Sequence, residues 1–188
     1  MNKMRQEGII LGIDPGTCVM GYGVIRTRGR EIETLALGVV RMRSIRDPYR
    51  RMSHILEKMY ELLDAFQPDI MAIEAPFYSK NVQSMLKLGR AQGVAIAAAL
   101  SRNVPVCEYA PRKIKMAVTG RGAASKEQVA VMLKKTLHFT QEPESWDATD
   151  ALAVAVCHAN QMVFPGNQAS SGSWETFISR NPQRIVRR

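Results

Sequence analysis

The chain has 188 residues with 46% hydrophobic and 23% charged content, enough for one domain with a core and not the composition of a wholly disordered protein. Lys plus Arg is 26 and Asp plus Glu is 17, and the net charge of +9 points to a polyanionic partner, most often nucleic acid. Cys18, Cys107 and Cys157 form no CxxC pair, and there is neither a signal-length apolar run at the N-terminus nor the ~20 apolar residues that span a bilayer. A zinc site, a disulfide framework and a membrane role are therefore not expected, and a reducing, cytoplasmic setting is.

Gly8–Asp14 (GIILGID) reads as a buried strand ending on a carboxylate, followed by a Pro15-Gly16-Thr17 turn. Val19–Thr27 and Glu31–Met42 read as two further strands, joined at Arg28-Gly29-Arg30, so the first three strands form an antiparallel meander. Asp47–Phe66 carries Met52, Ile55, Leu56, Met59, Leu63 and Phe66 at helical spacing, with Asp47 as cap and Pro48 in the first turn. Asp69–Glu74 is a second short strand ending on an acid. Asn81–Ser101 is an Ala-rich helix, Val104–Tyr109 a fifth strand and Ala110–Thr119 a short helix. Ser125 with Gln128 makes a capping box for the next helix, and the last runs from about Asp147 to Met162. This order predicts a mixed α/β sheet covered by helices. Residues 1–164 form the predicted body, and 165–188, rich in Gly, Ser, Asn and Gln with four Arg and one Glu, reads as a basic, mobile tail.

The acids carry the functional argument. Asp14 and Glu74 each end a buried strand, where a carboxylate is costly unless something satisfies it. Alone, each reads as a turn cap or a surface acid; together they mark the strand ends where α/β sheets build their sites. Asp147 and Asp150 lie three apart at a helix start, hence on one face. A helix dipole accounts for one acid there, but two repel unless a cation joins them. Four carboxylates without a Cys or His set point to a hard ion, Mg²⁺ with Mn²⁺ as substitute. In a basic protein that implies phosphodiester chemistry, with two ions ~3.5–4 Å apart.

His54, His138 and His158 each read as structural or exposed, a reading favoured for His158 over a supporting role beside the acids two turns after Asp150, and Trp146 reads as a packing residue. Arg41, Arg43, Arg46, Arg50 and Arg51 fall within eleven residues opposed only by Asp47, either a solvated helix start or a phosphate-contact patch. Arg112, Lys113 and Lys115 follow the fifth strand, and Lys126 opens a helix where the dipole disfavours cations; Lys115 and Lys126 are candidate phosphate contacts, and Arg112 and Lys113 are further candidate DNA contacts. Phe77 and Tyr78 follow Glu74 in a loop, packing inward or stacking on an unpaired base.

The ordered set ILGIDPGT with GYGVI, FQPDIMAIEAPFYSKN, LKLGRAQGVA, EYAPRKIKMAVTG and DATDALAVA, from about Gly8 to Asn160, resembles the RuvC family of bacterial Holliday-junction resolvases. The resemblance implies a ribonuclease-H-like α/β fold, a mixed five-stranded sheet with helices on both faces. It maps the family's acidic quartet onto Asp14, Glu74, Asp147 and Asp150, its junction-probing aromatic onto Phe77 and its phosphate-neighbouring lysines onto Lys115 and Lys126. It further implies a homodimer that makes paired metal-dependent nicks in four-way junction DNA, leaving 5′-phosphate and 3′-hydroxyl ends, in partnership with the RuvA–RuvB branch-migration machinery. Two rivals remain. Asp14–Thr17 also fits the phosphate loop of an actin-like ATPase, but 188 residues without a repeat cannot supply its two related domains. A non-catalytic nucleic-acid-binding relative of the same fold is the other; metal-dependent nicking separates it from an enzyme.

Overall fold

The structure, a computed structural model, describes residues 7–76, 81–137 and 145–163. Its five strands are β1 (Glu7–Asp14), β2 (Val19–Arg28), β3 (Glu31–Arg41), β4 (Ile70–Glu74) and β5 (Val106–Tyr109), and they form one sheet in the order β3-β2-β1-β4-β5. β1, β2 and β3 are the antiparallel meander expected from the sequence, with Gly29 at φ 61° in the tight β2–β3 turn. β4 and β5 add in parallel on the other side of β1, each reached through a helical crossover.

The helices are α1 (Pro48–Phe66), α2 (Val82–Ser101), α3 (Pro111–Thr119), α4 (Lys126–Leu137) and α5 (Trp146–Val163). Their starts follow local chemistry. The Asp47 carboxylate accepts from the Arg50 amide at 2.8 Å, and Pro48 occupies the first turn, where no amide donor is needed. The Ser125 amide donates to Gln128 at 3.0 Å, while the Gln128 amide donates to the Ser125 hydroxyl at 3.3 Å, completing the expected capping box.

Strand alternation sorts the core into two layers. Leu11, Ile13, Met20, Val24, Met71 and Ile73 face α1 and α2, joining Ile55, Met59, Leu63, Ala91, Ala95 and Ala98. Ile10, Ile25 and Ala72 face the other way, onto Leu133 of α4 and Leu152 to Ala155 of α5. Helices therefore cover both faces. The buried alanines of α2 pack on its own sheet and on α1; what α2 exposes is a different stripe, including Val82, Leu86 and Leu100. His158 is buried, its Nδ1 2.7 Å from the Tyr109 hydroxyl, the structural role expected of it. Trp146 is 50% exposed at the start of α5, against the expectation of a packing residue, whereas Ala148 and Thr149 on the same turn are buried. No helix among the described residues is long and apolar enough to cross a membrane. His138 and the 165–188 tail lie outside the described residues, as does the end of the 1–164 body.

Candidate active site

Asp14 ends β1 and Glu74 ends β4. The two strands run parallel with Gly12 beside Ala72 and Ile13 beside Ile73, so the acids finish as neighbours at the carboxyl edge of the sheet. The period of two gives them the same face. Ile13 and Ile73 point to the α1–α2 layer, hence the residues before and after them point to α5.

Three glycines bring α5 against that face. A Cβ built on Gly12 would stand 2.2 Å from the Ala151 carbonyl oxygen, and one on Gly21 1.9 Å from the Asp147 carbonyl oxygen. On Gly23 it would stand 2.8 Å from the Leu152 Cα. Helix backbone thus lies directly on strand backbone, and the first turns of α5 carry Asp147 and Asp150 to the end of β1. One carboxylate oxygen each of Asp14, Asp147 and Asp150 lies within 4.8 Å of the others. Glu74 stands outside that trio but shares a hydrogen bond with Asp14 and lines the same cleft, a cavity of about 290 Å³, with Lys115, Lys126 and Asp150.

The electrostatics follow from crowding. Burial, then the charges of Glu74 and Asp150, push the Asp14 carboxyl up to about 9 from its ordinary 3.8, so in the metal-free protein it holds a proton and donates to Glu74. Burial also raises Glu74, against the opposing pull of that hydrogen bond and of Lys126 and Lys115. Burial works against the Lys126 charge as well, but its bond to Asp150, with Asp14 and Asp147 nearby, more than compensates and holds its pKa above the usual value. One ammonium is bonded within a set of four acids. All the donors are hard carboxylate oxygens, and in the absence of an ion the site neutralises itself by binding a proton; this donor set fits a divalent cation.

The remaining candidates separate. Lys115 lines the cleft beside Glu74. Arg112 and Lys113 do not: the Lys113 ammonium lies 5.1 Å over the Tyr109 ring, and Arg112 packs against Gly122. Phe77 and Tyr78 lie outside the described residues. Sequence reasoning missed two supports. Gln92, buried in α2, donates from Nε2 to the Glu74 carbonyl at 3.3 Å and anchors the end of β4; its signal was a lone amide among the small residues of AQG. Arg51 donates from Nη1 to the Thr17 carbonyl at 3.1 Å and from Nε to the Ile45 carbonyl, tying the turn after Asp14 to the start of α1. Arg51 is thus bonded into the fold, unlike a freely solvated arginine.

A mixed five-stranded sheet with acids on two adjacent strand ends and on the helix laid across them defines an α/β frame of the ribonuclease-H-like nuclease class. Residues 10–158 match the family described as crossover junction endodeoxyribonuclease RuvC. The chain is 55% identical over 182 residues to the Bacteroides fragilis protein of that description, covering 96% of this chain and 97% of the relative. It is 54% identical over 180 residues to the one from Cytophaga hutchinsonii, covering 95% and 88%. A solved structure of Thermus thermophilus RuvC in complex with Holliday junction substrate superposes with a TM-score of 0.78 at 32% identity, covering 84% of this chain and 96% of that one. The chain belongs to the RuvC family of crossover junction endodeoxyribonucleases.

Proposed function

We propose that this chain resolves four-way DNA junctions by metal-dependent nicking, leaving 5′-phosphate and 3′-hydroxyl ends, with Asp14, Glu74, Asp147 and Asp150 as the metal-holding acids. The observation that carries it is the convergence of the Asp14, Asp147 and Asp150 oxygens within 4.8 Å in a chain of this family. Bound there, a pair of Mg²⁺ ions, with Mn²⁺ as substitute, would supply Lewis-acid activation of water and stabilisation of the leaving oxygen.

The chain's own residues have distinct tasks. Asp14 would give up its proton on holding a cation, and its position is set by the backbone of β1 and the Arg51 tie. Gln92 holds the main chain at Glu74. Lys126 and Lys115 supply positive charge on one rim, where a scissile phosphate must approach four acids of like sign. Phe77, three residues past Glu74, is the proposed base-stacking residue. Arg112 and Lys113 act as phosphate contacts of lesser weight, on the outer side of α3.

A twofold homodimer offers one cleft to each of two like strands. Its proposed face is the exposed stripe of α2, where Val82 and Leu86 stand clear of the core and Gly89 and Gly93 have open space above them. The reading includes cooperation with the RuvA–RuvB machinery and a cytoplasmic location, which membership of the family supports. A non-catalytic relative would have no need for this crowded, proton-binding acid set. The deciding experiment incubates the protein with a synthetic mobile junction and Mg²⁺ and maps the cuts on all four strands. Paired cuts in strands of like polarity, abolished by EDTA, are expected; binding without cutting returns the chain to the non-catalytic reading.

A further inference from the structure

The arginines at the start of α1 remain outside the site so far described. Residues 42–47 connect β3 to α1, and they lie at the same end of the sheet as the acids. β1 ends there at Asp14, opposite Gly21 of β2; β2 begins there, with Val19 opposite Arg41 at the end of β3. The Met42 amide donates to the Cys18 carbonyl at 2.8 Å, and Arg51 reaches the Thr17 carbonyl. The acid cleft therefore has a second flank. Lys115 and Lys126 belong to the β5, α3 and α4 side; the arginine segment belongs to the β3 and α1 side.

On that flank lies a groove of about 610 Å³ lined in part by Ser44, Arg46, Arg50, Ser53 and His54. Arg43, Arg46 and Arg50 are exposed. Among the described residues none of the three side chains forms a salt bridge, whereas Arg26, Arg28 and Arg102 on other surfaces are each paired with a carboxylate. The one acid of the segment, Asp47, is engaged in capping the helix through the Arg50 amide. Glu57, at the far side of the groove, accepts from Ser53. The exposed Tyr49 lies between the two groove arginines in sequence. Unpaired guanidinium groups beside hydroxyls, at the edge of a site that takes DNA, suit phosphate oxygens.

We infer that the groove at the start of α1 holds the phosphate backbone of a duplex arm of the junction. The inference rests on the junction reading and extends it to a second, non-catalytic surface. β3 lies two strands from β1, and at ~4.8 Å per strand its end is about 10 Å from the end of β1. At ~3.4 Å of duplex axis per nucleotide, the groove begins about three nucleotides along the arm from the phosphate that is cut. Arg46 and Arg50 then fix the direction in which an arm leaves the cleft, and Lys115 and Lys126 serve the phosphate at the cut.

The test compares two double variants of equal charge change. Arg46→Ala with Arg50→Ala empties the groove; Lys134→Ala with Lys135→Ala removes two cations from the last turn of α4, the end away from Lys126. Junction binding is measured in EDTA from 50 to 200 mM salt. The arginine pair should weaken binding about tenfold and lower the slope of log K against log salt by about 2, one unit for each phosphate released. It should also abolish ethylation interference at phosphates three or more nucleotides from the cut. The lysine pair should leave slope and interference near wild type. Equal effects of the two pairs, or an unchanged interference pattern in the arginine pair, would overturn the groove. A wild-type protein that does not bind junctions at all would instead sink the junction reading itself.

Discussion

Replacing Asp14 by Asn tests the electrostatics of the cleft separately from catalysis. Burial, followed by the Glu74 and Asp150 charges, pushes the Asp14 carboxyl up to about 9 from 3.8. The folded metal-free protein therefore keeps a proton that the unfolded chain releases above about pH 4. Because the folded state binds more protons, stability falls as pH rises from about 4 towards 9, by up to ~1.4 kcal/mol per pH unit. Between an ordinary aspartate and pH 7 the gap is roughly three units, so the cost reaches about 4 kcal/mol as a ceiling. An Asn amide has no proton to lose and can donate to Glu74 as the protonated Asp14 carboxyl does. With water relaxing part of the cost, Asp14→Asn should stabilise the metal-free protein by about 2 kcal/mol at pH 7. Urea denaturation in EDTA at pH 5, 6, 7 and 8 reads this directly. The wild-type midpoint should fall with pH, and that of the variant should fall less. Mg²⁺ should reverse the order, since an ion at a hundred times its Kd adds about 2.7 kcal/mol to a protein that binds it. The variant should not gain this and should not cut junctions, while still binding them. Parallel pH curves for the two proteins, or a variant less stable at pH 8, would refute the account of a proton-holding acid cluster.

Four further outcomes are expected. Gly21→Ala sets a methyl group against the Asp147 carbonyl, so it should cost about 1–3 kcal/mol in urea denaturation and slow cleavage at saturating Mg²⁺, although no acid is changed. Lys126→Ala removes the cation bonded to Asp150 and should lower the single-turnover cleavage rate more than junction affinity; equal losses would make it an ordinary backbone contact. Leu86→Glu should leave the fold intact, because the side chain is 53% exposed, but give a monomer by light scattering that no longer makes paired cuts. Phe77→Leu should impair junction cutting while Phe77→Trp retains it, since stacking is worth roughly 1–3 kcal/mol per base; equal rates would return Phe77 to loop packing.

Most of the architecture was legible because each element carries its own signals. The strands ending at Asp14 and Glu74 are unbroken apolar runs, and α1 announces its start with Asp47 and Pro48. The four acids stand at local landmarks: Asp14 and Glu74 close apolar strands, and Asp147 and Asp150 share one face at the start of α5. What local pattern does not encode is which way a long side chain goes. Lys113 and Lys115 are two residues apart in one basic run, yet one covers the Tyr109 ring and the other lines the cleft, because α3 turns them to different faces. Likewise five arginines in eleven residues look alike in sequence, but Arg51 is bonded to two carbonyls while Arg46 and Arg50 line an open groove.

The same contrast explains why the glycines matter as much as the acids. Gly12, Gly21 and Gly23 lie on alternate positions of β1 and β2, so all three present hydrogen atoms to the one face on which Asp14 also lies. Any larger residue there would lift α5 away from the sheet and withdraw Asp147 and Asp150 from Asp14. A cluster of four buried or half-buried acids is electrostatically unfavourable, and nothing among the acids themselves would draw them together in the absence of an ion. The attraction must come from elsewhere: apolar burial of Leu152, Val154 and Ala155, together with backbone contact over the glycines, holds α5 in position against that repulsion. Folding free energy is thereby used to keep an acid site assembled before any cation arrives. It follows that substitutions which loosen the α5–sheet contact should relieve the raised Asp14 pKa as they weaken metal binding, so the two properties should change together across a series at positions 12, 21 and 23.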